Sequence, residues 1–245
     1  MPVFRSSINS IPPVVKNLII INAFMLFATY VLEMKGIDLT RILGLHYVQS
    51  PEFRPYQLVT HMFMHGGLMH LVLNMFALWM FGRILESVWG PKRFFIFYFV
   101  TGLGAALFYS LVNYIEFQYI AAKMNPELVQ TVIANGAEIL NHGQNYTDLA
   151  GKLNLILNVP TVGASGAVFG ILLGFGMLFP NTELMLLFPP IPMKAKYFVI
   201  GYGAIELFSG IANSGDNIAH FAHLGGMLFG FIMIKFWNKN TRNFY

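Results

Sequence analysis

Gly163-Ala164-Ser165-Gly166-Ala167-Val168-Phe169-Gly170 sets a serine between glycines at the mouth of a stretch, about 161 to 180, apolar enough to cross a bilayer. A histidine, His223, sits inside another such stretch. A hydroxyl or an imidazole at membrane depth is costly unless partnered, so intramembrane polar groups read as functional by default. Composition agrees with a membrane setting. Of 245 residues, 56% are apolar and 11% charged, where soluble domains carry roughly a quarter charged residues. Six segments approach or exceed the about 20 residues that span the hydrocarbon core, at roughly 14 to 33, 60 to 82, 94 to 115, 161 to 180, 196 to 213 and 217 to 237. An all-α membrane protein, one compact six-helix bundle, is predicted.

Charge sets the expected orientation. With both termini on one side, that side receives Arg5, Lys16, Arg83, Lys92, Arg93, Lys194, Lys196, Lys235, Lys239 and Arg242, whereas Lys35, Arg41, Arg54, Lys123 and Lys152 lie opposite. The bias predicts cytoplasmic termini. The first segment, lacking a small-residue cleavage site before Glu33-Met34-Lys35, reads as a retained helix, and the Arg-poor amino terminus offers no mitochondrial transit signal. A multi-pass protein of a bacterial cytoplasmic membrane is the expectation. The net charge of +4 comes from basic residues scattered at helix ends, which favours contact with anionic lipid over nucleic-acid binding. Without cysteine, disulfide and thiol chemistry are excluded.

Two excursions leave the bundle. Residues 36 to 58 carry Leu39, Ile42, Leu43, Leu45, Tyr47, Val48 and Phe53, which predicts a loop dipping into the interface. Residues 116 to 160 form an insertion in which Leu128, Val132, Ile133 and Leu140 predict one amphipathic helix, closed by a turn at Asn141-His142-Gly143-Gln144-Asn145. The Asn145-Tyr146-Thr147 sequon reads as a chance match. No useful internal repeat is visible, which counts against inverted-repeat transporters.

Serine chemistry requires a base for the hydroxyl proton and donors for the developing oxyanion. Ser165 lies where its helix begins, so its own amide is one of the first-turn N–H groups open to an oxyanion. Gly166, Gly170 and Gly174 form a smooth stripe on that helix, and Gly226 and Gly230 do so on the sixth, next to the face that carries His223. If the two stripes pack together, Ser165 and His223 come within reach. In the second segment His70 and Asn74, four residues apart, stack on one face and both offer N–H donors suited to an oxyanion. Taken singly, each group also fits helix packing or a bridging hydrogen bond; their joint presence on three segments favours chemistry. His61, His65 and His220 are expected to line a water-accessible cavity. Glu206, an intramembrane acid, fits lateral gating, orientation of His223 or a protonated carboxyl bonded to a carbonyl, and receives no catalytic part. Asp216 reads as a helix cap.

In sequence order, His70-Leu71-Val72-Leu73-Asn74 matches HxxxN, Gly163-Ala164-Ser165-Gly166 matches GxSG, and Ala222-His223-Leu224-Gly225-Gly226-Met227-Leu228-Phe229-Gly230 matches AHxxGxxxG. With these three motifs the chain resembles the rhomboid intramembrane serine proteases. The resemblance implies one membrane domain over 1–245, a six-helix core at about 14–237 and an extramembrane insertion at 116–160. It implies Ser165 as nucleophile and His223 as general base, a dyad without a carboxylate, with His70, Asn74 and the Ser165 amide as oxyanion hole. It also implies an aromatic ring against the catalytic imidazole, a part for which Phe169 is placed. Substrates would be single-span membrane proteins met in the lipid bilayer, with no cofactor and no metal. Where the family often has Trp-Arg before the second span, this chain has Tyr56-Gln57. Two other readings remain: a non-catalytic chaperone or trafficking factor on the same scaffold, and a metal-dependent membrane enzyme or transporter using His61 with His65 and His220 with His223.

Overall fold

A computed structural model describes residues 11–185, 190–212 and 217–240, with the backbone alone for 217–219 and 239–240. Arg5, Asp216 and Arg242 lie outside the described residues. The chain forms α1 (Pro13–Glu33), α2 (Leu39–Leu43) and α3 (Gln57–Thr60), then α4 (Leu68–Ala77), which passes through a π-helical turn at Leu78–Gly82 into α5 (Arg83–Trp89). There follow α6 (Pro91–Ala121), α7 (Pro126–Asn141), α8 (Asp148–Asn158), α9 (Ser165–Leu178), α10 (Ala195–Ile211) and α11 (Asn217–Asn240). Between α9 and α10 a two-stranded antiparallel ribbon, β1 (Glu183–Met185) with β2 (Pro192–Lys194), departs from the all-helical expectation.

Among the described residues, three helices have the length and apolarity to cross a membrane: Pro13–Glu33, the rod Leu68–Trp89, and Pro91–Ala121. Phe24, Phe27, Leu73, Leu107, Phe208 and Phe236 lie on the outer surface, an apolar exterior suited to lipid. At about 1.5 Å per residue, the 14 residues of α9, which Ser165 opens, reach only about 21 Å, short of the about 30 Å core.

The start of α1 shows how a helix end is satisfied here. Pro13 has no N–H, and the amide of Lys16 is already bonded to the Pro12 carbonyl. The two remaining first-turn donors, Val14 and Val15, both reach the Glu86 carboxylate, at 3.0 and 2.8 Å. Glu86 is buried on α5, so one anion caps a distant helix and meets the positive end of its dipole. Glu86→Leu is expected to destabilise the protein by roughly 2–4 kcal/mol, read as a lowered melting temperature in detergent, whereas Glu86→Gln retains part of the cap and loses less.

The second segment begins later than its hydropathy predicts. His61–Phe63 is a separate 3-10 turn, and the chain is extended at Met64 before α4 starts at Leu68. The Gly66-Gly67 pair causes the break, because glycine disfavours helix and leaves the turn free to reorient. At the far end of the rod a single residue, Gly90 at φ +77°, reverses the chain, and Pro91 starts the next helix at the one position that tolerates it.

The insertion holds two helices where one was expected. α6 runs on to Ala121, and α7 and α8 then form a hairpin around Gly143 at φ +70°. In α8, Leu149, Leu153, Ile156 and Leu157 keep the helical spacing on one face, a signal hidden by the short, polar context. Leu153, Ile156 and Leu157 join Phe117, Ile120, Val132 and Tyr47 in a second small core. Asn145, exposed beside this core, accepts from Asn154 Nδ2 at 2.9 Å and donates to the Gly151 carbonyl at 3.2 Å.

Tyr47 ties that hairpin to the loop after α1, and the loop is fastened in turn by Gln57. The Gln57 side chain is buried; its Oε1 accepts from the amides of His46 and Arg54 at 3.3 and 3.1 Å, and its Nε2 donates to the carbonyls of Ile42 and Glu52 at 3.2 and 3.0 Å. Gln57 thus anchors this loop by four bonds. Leu45 and Thr161 then exchange backbone bonds of 2.9 Å, which carries the anchoring to the segment just ahead of Ser165.

Candidate active site

Three helices, α6, α9 and α11, pack closely on one another, and glycine permits it. A Cβ on Gly226 would lie 1.9 Å from the Gly166 carbonyl oxygen, and one on Gly166 would lie 2.4 Å from the Ala105 methyl. One α-helical turn further along, Gly230 faces the backbone of Gly170. The two glycine stripes therefore mesh, and α9 lies against α11.

That contact brings Ser165 Oγ to 2.9 Å from His223 Nε2. The Phe169 ring, one turn below the serine, stacks flat on the His223 imidazole, with centroids 4.1 Å apart and planes inclined by 5°. The stacking thereby holds the imidazole in one plane. On its other edge, His223 Nδ1 is 3.0 Å from Glu206 Oε2 on α10, and His220 Nδ1 is 2.6 Å from the same oxygen.

His70 and Asn74 approach from α4. Gly66 N–H points at His70 Nδ1 across 3.4 Å, which leaves Nε2 to carry the ring proton. That nitrogen faces Gly163: a Cβ there would lie 3.0 Å from His70 Nε2 and 3.4 Å from Ser165 Oγ. Gly163 holds φ +135°, a conformation side chains rarely adopt, and its amide is fixed by the His61 carbonyl at 2.9 Å. Glycine thus keeps open the space between histidine and serine. Asn74 is buried and bonds back to the His70 carbonyl at 3.0 Å, one of its two N–H donors remaining.

Ser165, His223, His70 and Asn74 all border one cavity of about 600 Å³, whose walls are otherwise apolar, including Leu73 and Met80 from the α4 side and Phe198 and Tyr202 from α10. Of the three histidines expected to line it, none does, although His61 borders a smaller cavity behind Ser165 with Gly163 and Gly166. His61 is buried with Nδ1 donating to the Gln57 carbonyl at 2.8 Å, and His65 is buried edge-on against His70. His220 is turned to Glu206. Polarity alone predicts cavity-lining rings, but His61 and His220 are engaged by the Gln57 carbonyl and Glu206.

The metal reading rests on His61 with His65 and on His220 with His223. Among the described residues, the grouping with three clustered ligand-type atoms is Glu206, His220 and His223. Its shortest separation, 2.6 Å between His220 Nδ1 and Glu206 Oε2, is a hydrogen bond. Glu206 was legible as an intramembrane acid, and the i, i+3 spacing of His220 and His223 as one helical face. Their meeting was not, because spacing along α11 does not say which helix lies opposite.

Comparison with known proteins agrees with this architecture. The family profile described as the Rhomboid domain matches residues 52–239. The chain is 28% identical over 168 residues to Rhomboid protein 1, mitochondrial, of Saccharomyces cerevisiae, covering 69% of this chain and 38% of that protein. It is 31% identical over 175 residues to RHOMBOID-like protein 12, mitochondrial, of Arabidopsis thaliana, covering 71% and 44%. To Rhomboid protease AarA of Providencia stuartii it is 26% identical over 179 residues, covering 69% and 51%. The chain thus spans about half or less of the length of these relatives. With the profile running from the α3 region to the end of α11 and so enclosing Ser165, His223, His70 and Asn74, the chain belongs to the rhomboid family.

Proposed function

We propose that this protein is an intramembrane serine endopeptidase, a six-span rhomboid bundle that cleaves membrane-protein substrates within or near their transmembrane segments. The observation that carries the reading is the 2.9 Å contact between Ser165 Oγ and His223 Nε2 beside a cavity open to an apolar segment.

Ser165 Oγ attacks the scissile carbonyl carbon as His223 Nε2 takes the hydroxyl proton. The carbonyl oxygen becomes an oxyanion, met by the Ser165 amide, His70 Nε2–H and Asn74 Nδ2–H. On collapse the C–N bond breaks, His223 returns the proton to the leaving nitrogen, and an acyl-enzyme remains. Water then attacks the ester, His223 accepts its proton, and the second collapse restores Ser165. Walls of Leu73, Met80, Phe198 and Tyr202 favour an apolar substrate segment, which must unwind locally to offer its carbonyl. Weak helix formers such as glycine near the scissile bond meet that need.

The asymmetry of basic residues supports an orientation with Ser165 toward the non-cytoplasmic face and both termini inside. A single domain, the α7–α8 hairpin included, is the organisation this reading requires.

Labelling of the purified protein with a fluorophosphonate tests the reading. Covalent capture at Ser165, found by peptide mapping and accompanied by cleavage of a reconstituted single-span substrate, is expected. Absence of both in folded protein would leave a chaperone or trafficking role on the same scaffold.

A further inference from the structure

The serine–histidine pair has a third partner that neither the motifs nor the resemblance assigns. Glu206 is only 6% exposed on α10, in a chain where ionisable groups at depth are scarce. Its Oε2 is within hydrogen-bond range of two imidazoles, His223 Nδ1 at 3.0 Å and His220 Nδ1 at 2.6 Å. An ionised carboxylate only accepts, so each Nδ1 carries the proton and His223 Nε2 is left with its lone pair facing the Ser165 hydroxyl.

We propose that Glu206 is a positioning residue of the Ser165–His223 pair, completing a serine–histidine–glutamate relay whose carboxylate is itself anchored by His220. The proposal rests on the nucleophile reading of Ser165. Neutral imidazole exchanges its proton between two nitrogens, and the tautomer with hydrogen on Nε2 would set one donor against another at the serine. The bond to Glu206 selects the useful tautomer. When Nε2 accepts the serine proton, the imidazolium formed at the cavity wall lies beside a fixed negative charge, and the proton passes to the leaving nitrogen while Glu206 stays ionised. Phe169 fixes the plane of the ring; Glu206 fixes its rotation within that plane. His220, one turn before His223 on α11, holds the carboxylate in place.

The competing role for Glu206 is a latch. It joins α10 to α11 beside the cavity, and a latch governs access, not proton transfer. The two roles separate kinetically. In full-length protein reconstituted in liposomes, Glu206→Gln is expected to lower kcat by about 10²–10⁴-fold, with KM within about three-fold of wild type and the rate of fluorophosphonate labelling reduced in proportion. Glu206→Asp, which restores the charge one methylene short, is expected to recover only about ten-fold of that loss and so to stay about ten-fold or more below wild type in kcat and labelling. Wild-type kcat and labelling in Glu206→Gln, or a change in KM alone, would overturn the relay and leave the latch. Should Glu206→Gln not accumulate as folded protein, Glu206→Asp decides alone: lowered kcat with proportionally slowed labelling supports the relay, whereas unaltered labelling sinks it. Wild-type protein that neither cleaves nor labels would remove the nucleophile reading and the relay with it.

Discussion

Replacing Ser165 by alanine is expected to abolish peptide-bond cleavage, a loss of about 10⁴-fold or more in kcat, and His223→Ala is expected to do nearly the same. The double variant should be no worse than either single one. The reason lies in the 2.9 Å contact: serine is a poor nucleophile until a base takes its proton, and the base has nothing to activate once the serine is gone. Their contributions therefore do not add. Asn74→Ala, which removes one oxyanion donor and leaves the nucleophile intact, should lose only about 10²–10³-fold. Measuring the four proteins against one reconstituted single-span substrate checks the pattern. If the losses from Ser165→Ala and His223→Ala multiplied in the double variant, the two residues would not act as a unit, and the acyl-enzyme route would fall.

The residues at this centre were legible in the sequence because each carried its own context. Ser165 stood among glycines, and His223 stood on the glycine face of its helix. The helix-helix contact that unites them is written in Gly166, Gly170, Gly226 and Gly230, since small residues spaced every four positions have few other uses in a membrane helix. What stayed hidden has two physical causes. Hydropathy reports burial in lipid and not hydrogen bonding, so it ran the second segment through Gly66-Gly67 and missed the break before Leu68. It also passed over α8, whose apolar face is short and flanked by asparagines. The second cause is azimuth. Spacing on α11 sets His220 and His223 on one side, yet only the placement of α10 brings Glu206 opposite them. Gln57 was obscure for the same reason: its four bonds go to a loop whose path no local pattern describes.

Gly226→Ala is the substitution outside the reacting groups expected to do most damage. The added methyl would sit 1.9 Å from the Gly166 carbonyl oxygen and 2.8 Å from its carbonyl carbon. Both are backbone atoms, so no side chain can rotate away, and α9 and α11 must separate by about 1 Å or more to reach ordinary contact. Ser165 and His223 bridge that same interface, one on each helix, directly beside the clash. A displacement of about 1 Å at a reacting pair is enough for about a 10²-fold loss of rate. The overpacking is also expected to cost about 1–3 kcal/mol of stability. Gly201→Ala supplies the contrast on α10, because a Cβ there meets nothing within 4 Å. Helix propensity alone then operates, and a gain of up to about 1 kcal/mol with wild-type kcat is expected. Cleavage rate and melting temperature of the two variants, measured together, separate contact geometry from the generic effect of a methyl group on a helix. Wild-type activity in Gly226→Ala would mean that the two helices are not held together by their glycines, and the close approach of Ser165 to His223 would need another cause.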